Sequence, residues 1–492
     1  MSAICAAAWP FISNATLYRS TAGSRAEESA VTAALDPTLT PAELTSIAEE
    51  AYLFAYPMMI AYGFFHRQTM GPDAPEKQAI GRFTHFRTLG SPTLNNTIPW
   101  INTDTLYSAV WLDLRREPMV LGVPAFEPHR FQNVQAADWY TMNFFTRGTR
   151  DVGNGARRYL LAGPGWSGAK PDGVDEVVVA DSWIIKLFTR IIVEGPGDEP
   201  AIHALQDQYR LDPLSRYRGV EPPPASDAAD FPAPPASGMR GRGFFEQPTP
   251  DFIGTLNHLM TQAAIQPDEA ALFERFSRIG VEPGAAFDVA ALTPDQAAAI
   301  QAGIDAGLAR IEHRLANIDT PINGWTYPLD LRGGRDRLTG SPAAYLARAV
   351  GAKYAIWGPG AEEVVYMVAE IDVDGARVDG ADAAYEITFY AAPPVSGFWS
   401  YTIYDAATRL LVPHPSGRYK RGDRDADIRR NAEGGFTLLL QNATPPADRL
   451  GDWLPIPAGP FQVVGRLYGP SLELRNKTYA PPPLRRVAVD SV

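Results

Sequence analysis

The alternation of apolar and polar positions divides the chain into four stretches: helical, strand-rich, helical again, then strand-rich to the end. Thr40-Pro41-Ala42-Glu43 opens the first helix, with a threonine cap, proline at the first helical position and glutamate placed to close a capping box. The helix is expected to run to about His66. Its second half, from Tyr52 to Tyr62, is apolar nearly all round and therefore predicts burial, and Pro57 predicts a kink. A loop is expected over residues 70–77.

Short apolar or alternating runs follow at residues 107–114, 119–123, 139–145, 158–161, 176–179 and 183–193. Breaks with Pro, Gly or Asp separate them, which is the spacing of an all-β domain. The Gly-rich turn at residues 163–168 lacks a phosphate-loop pattern and no helix follows it. A Pro-rich composition shift over residues 211–250 predicts a connector. Helices are expected over 250–264, 267–279 and 293–318, and again from Ser341-Pro342. Strands are then predicted at 364–372, 384–390, 398–404, 436–441 and 461–468, with a hairpin turn at Asp374-Gly375.

The predicted fold is mainly β with helical insertions (α+β), with two β-sandwich or jelly-roll domains. Its expected parts are a mobile tail (1–38), a helix plus β domain (39–210), the connector (211–250), a helical insert (251–360) and a β domain (361–492). No short internal repeat is apparent.

Composition sharpens this picture in a few places. The length of 492 residues exceeds what one core usually supports. The 44 prolines and 42 glycines favour a loop-rich, strand-rich architecture. A net charge of −12 argues against nucleic acid or an anionic membrane surface as partner. The single cysteine, Cys5, excludes an intrachain disulfide. No apolar run is long enough for a membrane span, and no basic residue precedes the apolar start, so a cytoplasmic setting is slightly favoured.

The chemistry concentrates in Asn102-Thr103-Asp104-Thr105-Leu106-Tyr107. Such a cluster running into an apolar strand is either a ligand site at a sheet's rim or a structural turn. Asp104 with Tyr107 would form an acid/base pair, and Asp138 would supply a second carboxylate, as in glycoside hydrolysis. Asn102 and Arg150 would orient the substrate. The alternative is that both aspartates cap turns or pair with Arg147 or Arg150.

In the C-terminal half Trp399, Tyr404, Trp453 and Tyr468 offer stacking faces or simply fill the core. Arg418 and Arg466 would hold an anion or be buried against Asp405 or Asp452. Lys420, Arg421 and Arg424 read as a solvated charged loop. The seven histidines show no H-x-H or H-E-x-x-H spacing, and no metal site or redox cofactor is predicted, although an assembled divalent site stays open.

The ordered motifs Asn102-x-Asp104-Thr105-x-Tyr107, Gly148-Thr149-Arg150, Asn323-Gly324-Trp325 and Phe398-Trp399-Ser400-x-Thr402-x-Tyr404-Asp405 resemble a bacterial and fungal family. In that family two domains of unknown function occur in tandem. Arg418-Tyr419, Asp452-Trp453-Leu454-Pro455 and Arg466-Leu467-Tyr468-x-Pro470 extend the resemblance over residues 45–488. His414 stands where the family commonly has Asn. The resemblance implies jelly-roll or sandwich folds in both halves and, by fold analogy, a link to glycans; many relatives begin with an export signal. The resulting expectation is an enzyme, a hydrolase or lyase without redox cofactor, acting on a polar carbohydrate-like small molecule. The competing readings are a non-catalytic ligand- or glycan-binding protein and a structural module.

Overall fold

The computed structural model describes residues 32–70, 78–94, 99–224, 231, 248–331 and 341–488. Residues 1–31 of the expected tail, residues 71–77 of the expected loop, and residues 225–230 and 232–247 of the expected connector lie outside the described residues. The remainder of the tail is built in. Its strand β1 (Thr32–Ala33) pairs with a strand at Ala286–Phe287, and Asp36 binds Arg278 at 2.9 Å. The start of the connector is likewise a strand and a helical turn rather than a loop.

The N-terminal domain follows with β2 (Thr84–His85), β3 (Thr105–Asp113), β4 (Met119–Val123), β5 (Gln132–Ala137) and β6 (Asn143–Gly148). It continues with β7 (Arg157–Ala162), β8 (Glu176–Val179), β9 (Ile184–Ile192), helix Glu199–Gln206, β10 (Arg210–Pro213) and helix Leu214–Tyr217. One sheet has the order β2-β3-β9-β5-β6 and the other β10-β4-β7-β8.

After β11 (Ala286–Phe287) the C-terminal domain contains β12 (Trp325–Thr326), β13 (Val364–Ala369), β14 (Ala384–Ala391), β15 (Trp399–Asp405) and β16 (Lys420–Gly422). Its last strands are β17 (Gly434–Gln441), β18 (Trp453–Pro455), β19 (Phe461–Tyr468) and β20 (Arg485–Val487). The sheets are ordered β12-β13-β19-β15-β16 and β18-β17-β14-β20.

Raising each N-terminal strand number by ten reproduces the C-terminal topology. The parallel pair β7–β8 recurs as β17–β18. The register recurs too: Tyr107 lies opposite Arg190, and Tyr366 opposite Arg466. The chain thus contains one nine-strand sandwich twice.

Strand alternation explains both cores. Leu106, Val110 and Leu112 of β3 and Ile185, Leu187 and Ile191 of β9 face the smaller N-terminal sheet. Val365, Met367, Phe461, Val463 and Leu467 do the same in the C-terminal domain. The opposite faces of the two five-stranded sheets are therefore free to meet something else.

Helix α1 (Pro41–Thr69) carries the expected capping box, with Glu43 N–H donating to Thr40 Oγ1 and Glu43 accepting from Thr40 N–H. It is helical on both sides of Pro57 and buried from Ala51 to Gly63. A strand was expected over 139–145, but Trp139 to Met142 form a turn and the strand starts at Asn143. Asp138 dictates this: its carboxylate accepts from Met142 N–H at 2.9 Å, and Thr141 takes a left-handed φ of 65°.

Candidate functional site

Two five-stranded sheets meet through the same face. Asp104, the residue before β3, accepts from Ser400 Oγ at 2.6 Å and pairs with Arg424 at 3.4 Å. Glu363, the residue before β13, accepts from Asn133 Nδ2 at 3.1 Å and from Arg150 Nε at 2.8 Å. By register, Ser400 corresponds to Asn133 and Arg424 to Arg150. Phe131 and Phe398, each preceding equivalent strands, touch with ring centroids 5.2 Å apart. The contacts are reciprocal, as across a two-fold interface between identical subunits.

A cavity of about 480 Å³ lies between these faces, within the range of small-molecule sites. Its walls contain the equivalent pairs Tyr107 and Tyr366, Phe188 and Val464, and Arg190 and Arg466. Lys186 and Arg67 also line it, and none of the described lining residues is Asp or Glu. A larger groove of about 1100 Å³ adjoins it, sharing Trp100, Tyr354 and Val368, and carries both signs of charge, with pairs at Arg314–Asp330 and Lys477–Asp319. The smaller cavity is the one whose described lining carries cations and no carboxylate.

At one end of it Arg190 donates through Nε to Tyr107 Oη at 3.1 Å and through Nη1 to Gln135 at 2.6 Å. Its Nη2 has no partner among the described residues. Burial works against its charge, but the neighbouring phenols of Tyr107, Tyr366 and Tyr468 raise its pKa. Asn102 Nδ2 donates to Tyr107 Oη and Tyr468 Oη, both at 3.1 Å, and Asn102 Oδ1 accepts from the backbone of Asp104 and Thr105. Tyr107 Oη thus accepts twice, which leaves its own proton to be donated elsewhere.

Arg466 donates to Tyr404 Oη at 2.7 Å and to the Trp100 and Ile101 carbonyls. Burial pushes the Tyr404 phenol up to about 12 against the opposing pull of Arg466. At the other end Lys186 Nζ donates to Gln68 and Gln78 at 3.2 and 3.1 Å, with no carboxylate at hand. Burial pushes its pKa well below the usual lysine range. Two further lining residues hold buried polar atoms without a described protein partner, Thr105 Oγ1 and Trp357 Nε1.

The family described as Protein of unknown function (DUF1254) matches residues 80–213, and Protein of unknown function (DUF1214) matches residues 363–472. The chain carries both domains in tandem. It is similar to the crystal structure of the VPA0106 protein from Vibrio parahaemolyticus, at 26% identity and a TM-score of 0.72, covering 90% of this chain and 100% of that one. A putative uncharacterized protein from Burkholderia cenocepacia aligns at 12% identity and a TM-score of 0.42, over 91% and 94% of the two chains. No curated protein matches the sequence. The cavity lies between the DUF1254 and DUF1214 domains and takes Tyr107 and Arg190 from the first, Tyr366 and Arg466 from the second.

Of the residues singled out in the DUF1254 domain, Asn102 and Tyr107 line the cavity. Asp104 does not. It is fully buried, with Lys420 Nζ at 3.0 Å, and is spent on joining the domains. Burial opposes its ionisation, yet Lys420, Arg424 and Arg466, with the Ser400 hydroxyl, hold its carboxyl down to about 2. Asp138 holds its turn, and Arg150 is committed to Glu363. Arg147, the other candidate partner for these aspartates, binds Glu176 instead.

In the DUF1214 domain Trp399 stacks on Phe436 with ring centroids 4.5 Å apart, inside the sandwich. Trp453 is buried and donates to the Gln441 carbonyl at 2.9 Å, and Arg418 sits over its ring. Tyr404 reaches the Ile101 carbonyl and Arg466 behind the cavity wall. Arg466 pairs with neither Asp405, which caps its own turn at Thr408, nor Asp452, which binds Arg429. The loop expected to be solvated is not: Lys420 and Arg424 reach the buried Asp104, and Arg421 is itself buried. Among the described residues no cluster of His, Cys, Asp or Glu could hold a metal, and no helix is long and apolar enough to cross a membrane.

Lys186, Arg190 and Tyr366 escaped the reading from sequence. A signal for the first two exists: β9 is apolar except for a lysine, a threonine and an arginine, and the two cations share one face of it. Charge on a doubly covered strand needs a reason.

Proposed function

We propose that the chain is an enzyme acting on a small polar organic acid bound between the two domains. The excess of buried cations over carboxylates in the cavity wall carries this reading. Arg190, with an uncommitted Nη2, would hold the acid group, since a guanidinium matches a carboxylate better than any other side chain. Tyr107 would act as proton donor, with Asn102 and Arg190 fixing its oxygen. Thr105, Gln68 and Gln78 offer partners for hydroxyls, so a carbohydrate-like acid fits the same lining. Proton transfer rests here on a phenol between cations, and Asp104 and Asp138 have structural roles.

The test is untargeted mass spectrometry of a metabolite extract incubated with wild type, Tyr107→Phe and Arg190→Gln, each checked for folding by circular dichroism. The expected outcome is a mass change made by wild type, slowed about a hundredfold by Tyr107→Phe. Arg190→Gln should weaken binding of the acid but not of its amide analogue. A species that co-purifies unchanged with wild type would instead make this a binding protein. Conversion that both variants perform at the wild-type rate would move the chemistry out of this cavity.

A further inference from the structure

Lys186 breaks the two-fold pattern of the cavity. The equivalent place on β19 is Gln462, whose side chain accepts from Trp100 Nε1 and donates to Glu370 rather than lining the cavity. The amine is almost fully buried, and its two hydrogen-bond partners are neutral amide oxygens. Nζ lies 4.6 Å from the Trp111 ring centre and 5.4 Å from that of Phe188. An amine with apolar neighbours, a cavity in front of it and no carboxylate beside it is the setting in which lysine serves as a nucleophile.

The strand spacing says what it would meet. Lys186 and Arg190 share one face of β9, four residues or about 13 Å apart along the strand. Phe188 lies between them, and the residue paired with it is the small Ala109, so space is left over that stretch. A molecule lying along the strand would present one end to the guanidinium and the other to the amine.

We propose that Lys186 forms an imine with the carbonyl of an oxo acid whose carboxylate is held by Arg190, a proposal that rests on the organic-acid reading above. The amine nitrogen adds to the carbonyl carbon to give a carbinolamine. The carbonyl oxygen then leaves with both amine hydrogens as water, and a carbon–nitrogen double bond remains. The substrate class is acids with carbonyl and carboxylate at opposite ends, which includes open-chain uronic acids.

The probes are 4-formylbenzoate and benzaldehyde, each with sodium cyanoborohydride, followed by peptide mass mapping. With 4-formylbenzoate, the Lys186 peptide of the wild type should gain the mass of the aldehyde less one oxygen. At about pH 6, where exposed lysines are protonated, it should do so at least roughly tenfold faster than they do. Lys186→Met should lose that adduct while 4-formylbenzoate still quenches its tryptophan fluorescence. Quenching of the wild type without a Lys186 adduct overturns the imine and leaves the organic-acid reading standing. Equal labelling of Lys186 by benzaldehyde sustains the nucleophile and overturns the acid-binding role of Arg190. Absence of both quenching and adduct overturns both.

Discussion

Asp104 shows how a residue's surroundings, rather than its type, assign its role. An aspartate beside a tyrosine in a polar cluster reads as an acid/base candidate, but a proton carrier must be able to change its charge near the working pH. Asp104 is held at about 2 by three cations and a hydroxyl, so it stays ionised and acts as a tie. Its folded pKa lies below its ordinary 3.8, so the stability it contributes is complete above about pH 4 and is lost as pH falls towards 2. The shift corresponds to roughly 2 kcal/mol. Asp104→Asn should therefore lower stability at neutral pH by about 2–4 kcal/mol, because Lys420 and Arg424 also lose their partner. Urea titrations across pH 2–5 should show the acid loss in wild type and a flatter profile in the variant. An unchanged midpoint at pH 7 would contradict the tie.

Elements were legible from the sequence to the extent that their pattern was local. Thr40 with Glu43 and Thr293 with Gln296 announce helices through capping alone, and both capping boxes form, the second opening the helix Pro294–Ala316. Strand β5 was missed because Gln132, Asn133 and Gln135 look like loop residues; Asn133 and Gln135 face a polar interface that only tertiary structure supplies, and Gln132, on the other face, binds Asn154. The helix contact was also silent. Gly303 of that second helix meets α1 so closely that a Cβ there would lie 2.5 Å from the Thr45 carbonyl oxygen and 2.8 Å from the Ala48 Cβ. Backbone cannot step aside as a flexible side chain can. Gly303→Ala is thus expected to destabilise by about 1–3 kcal/mol, outweighing the better helix propensity of alanine. A lowered urea midpoint checks it, whereas a raised one would mean the helices separate freely.

At the scale of the molecule, the two-sandwich plan could be inferred from strand spacing, but its duplication could not. Tyr107 answers to Tyr366 and Arg190 to Arg466, yet the separations differ because intervening loops differ in length. Along β3 and β13, and along β9 and β19, most equivalent positions differ in residue type, so no period survives in the sequence. The cavity was half-visible for the same reason: Asn102 and Tyr107 sit in one motif, while their partners come from distant strands. The reciprocal ties through Asp104 and Glu363, with Phe131 against Phe398, should make both domains melt together. Calorimetry should give one transition whose calorimetric and van't Hoff enthalpies agree. Two resolved transitions would show that the interface contributes little.

The duplication has a bearing on how this cavity can change. Two identical chains meeting through this face would carry every wall residue in pairs, so any substitution would appear twice and on both sides at once. Joined in one chain, the copies are released from that constraint: one half holds an amine at position 186 while the other holds an amide at 462. A chamber with a polarity, able to tell one end of a molecule from the other, is open to a fused pair and closed to a symmetric one.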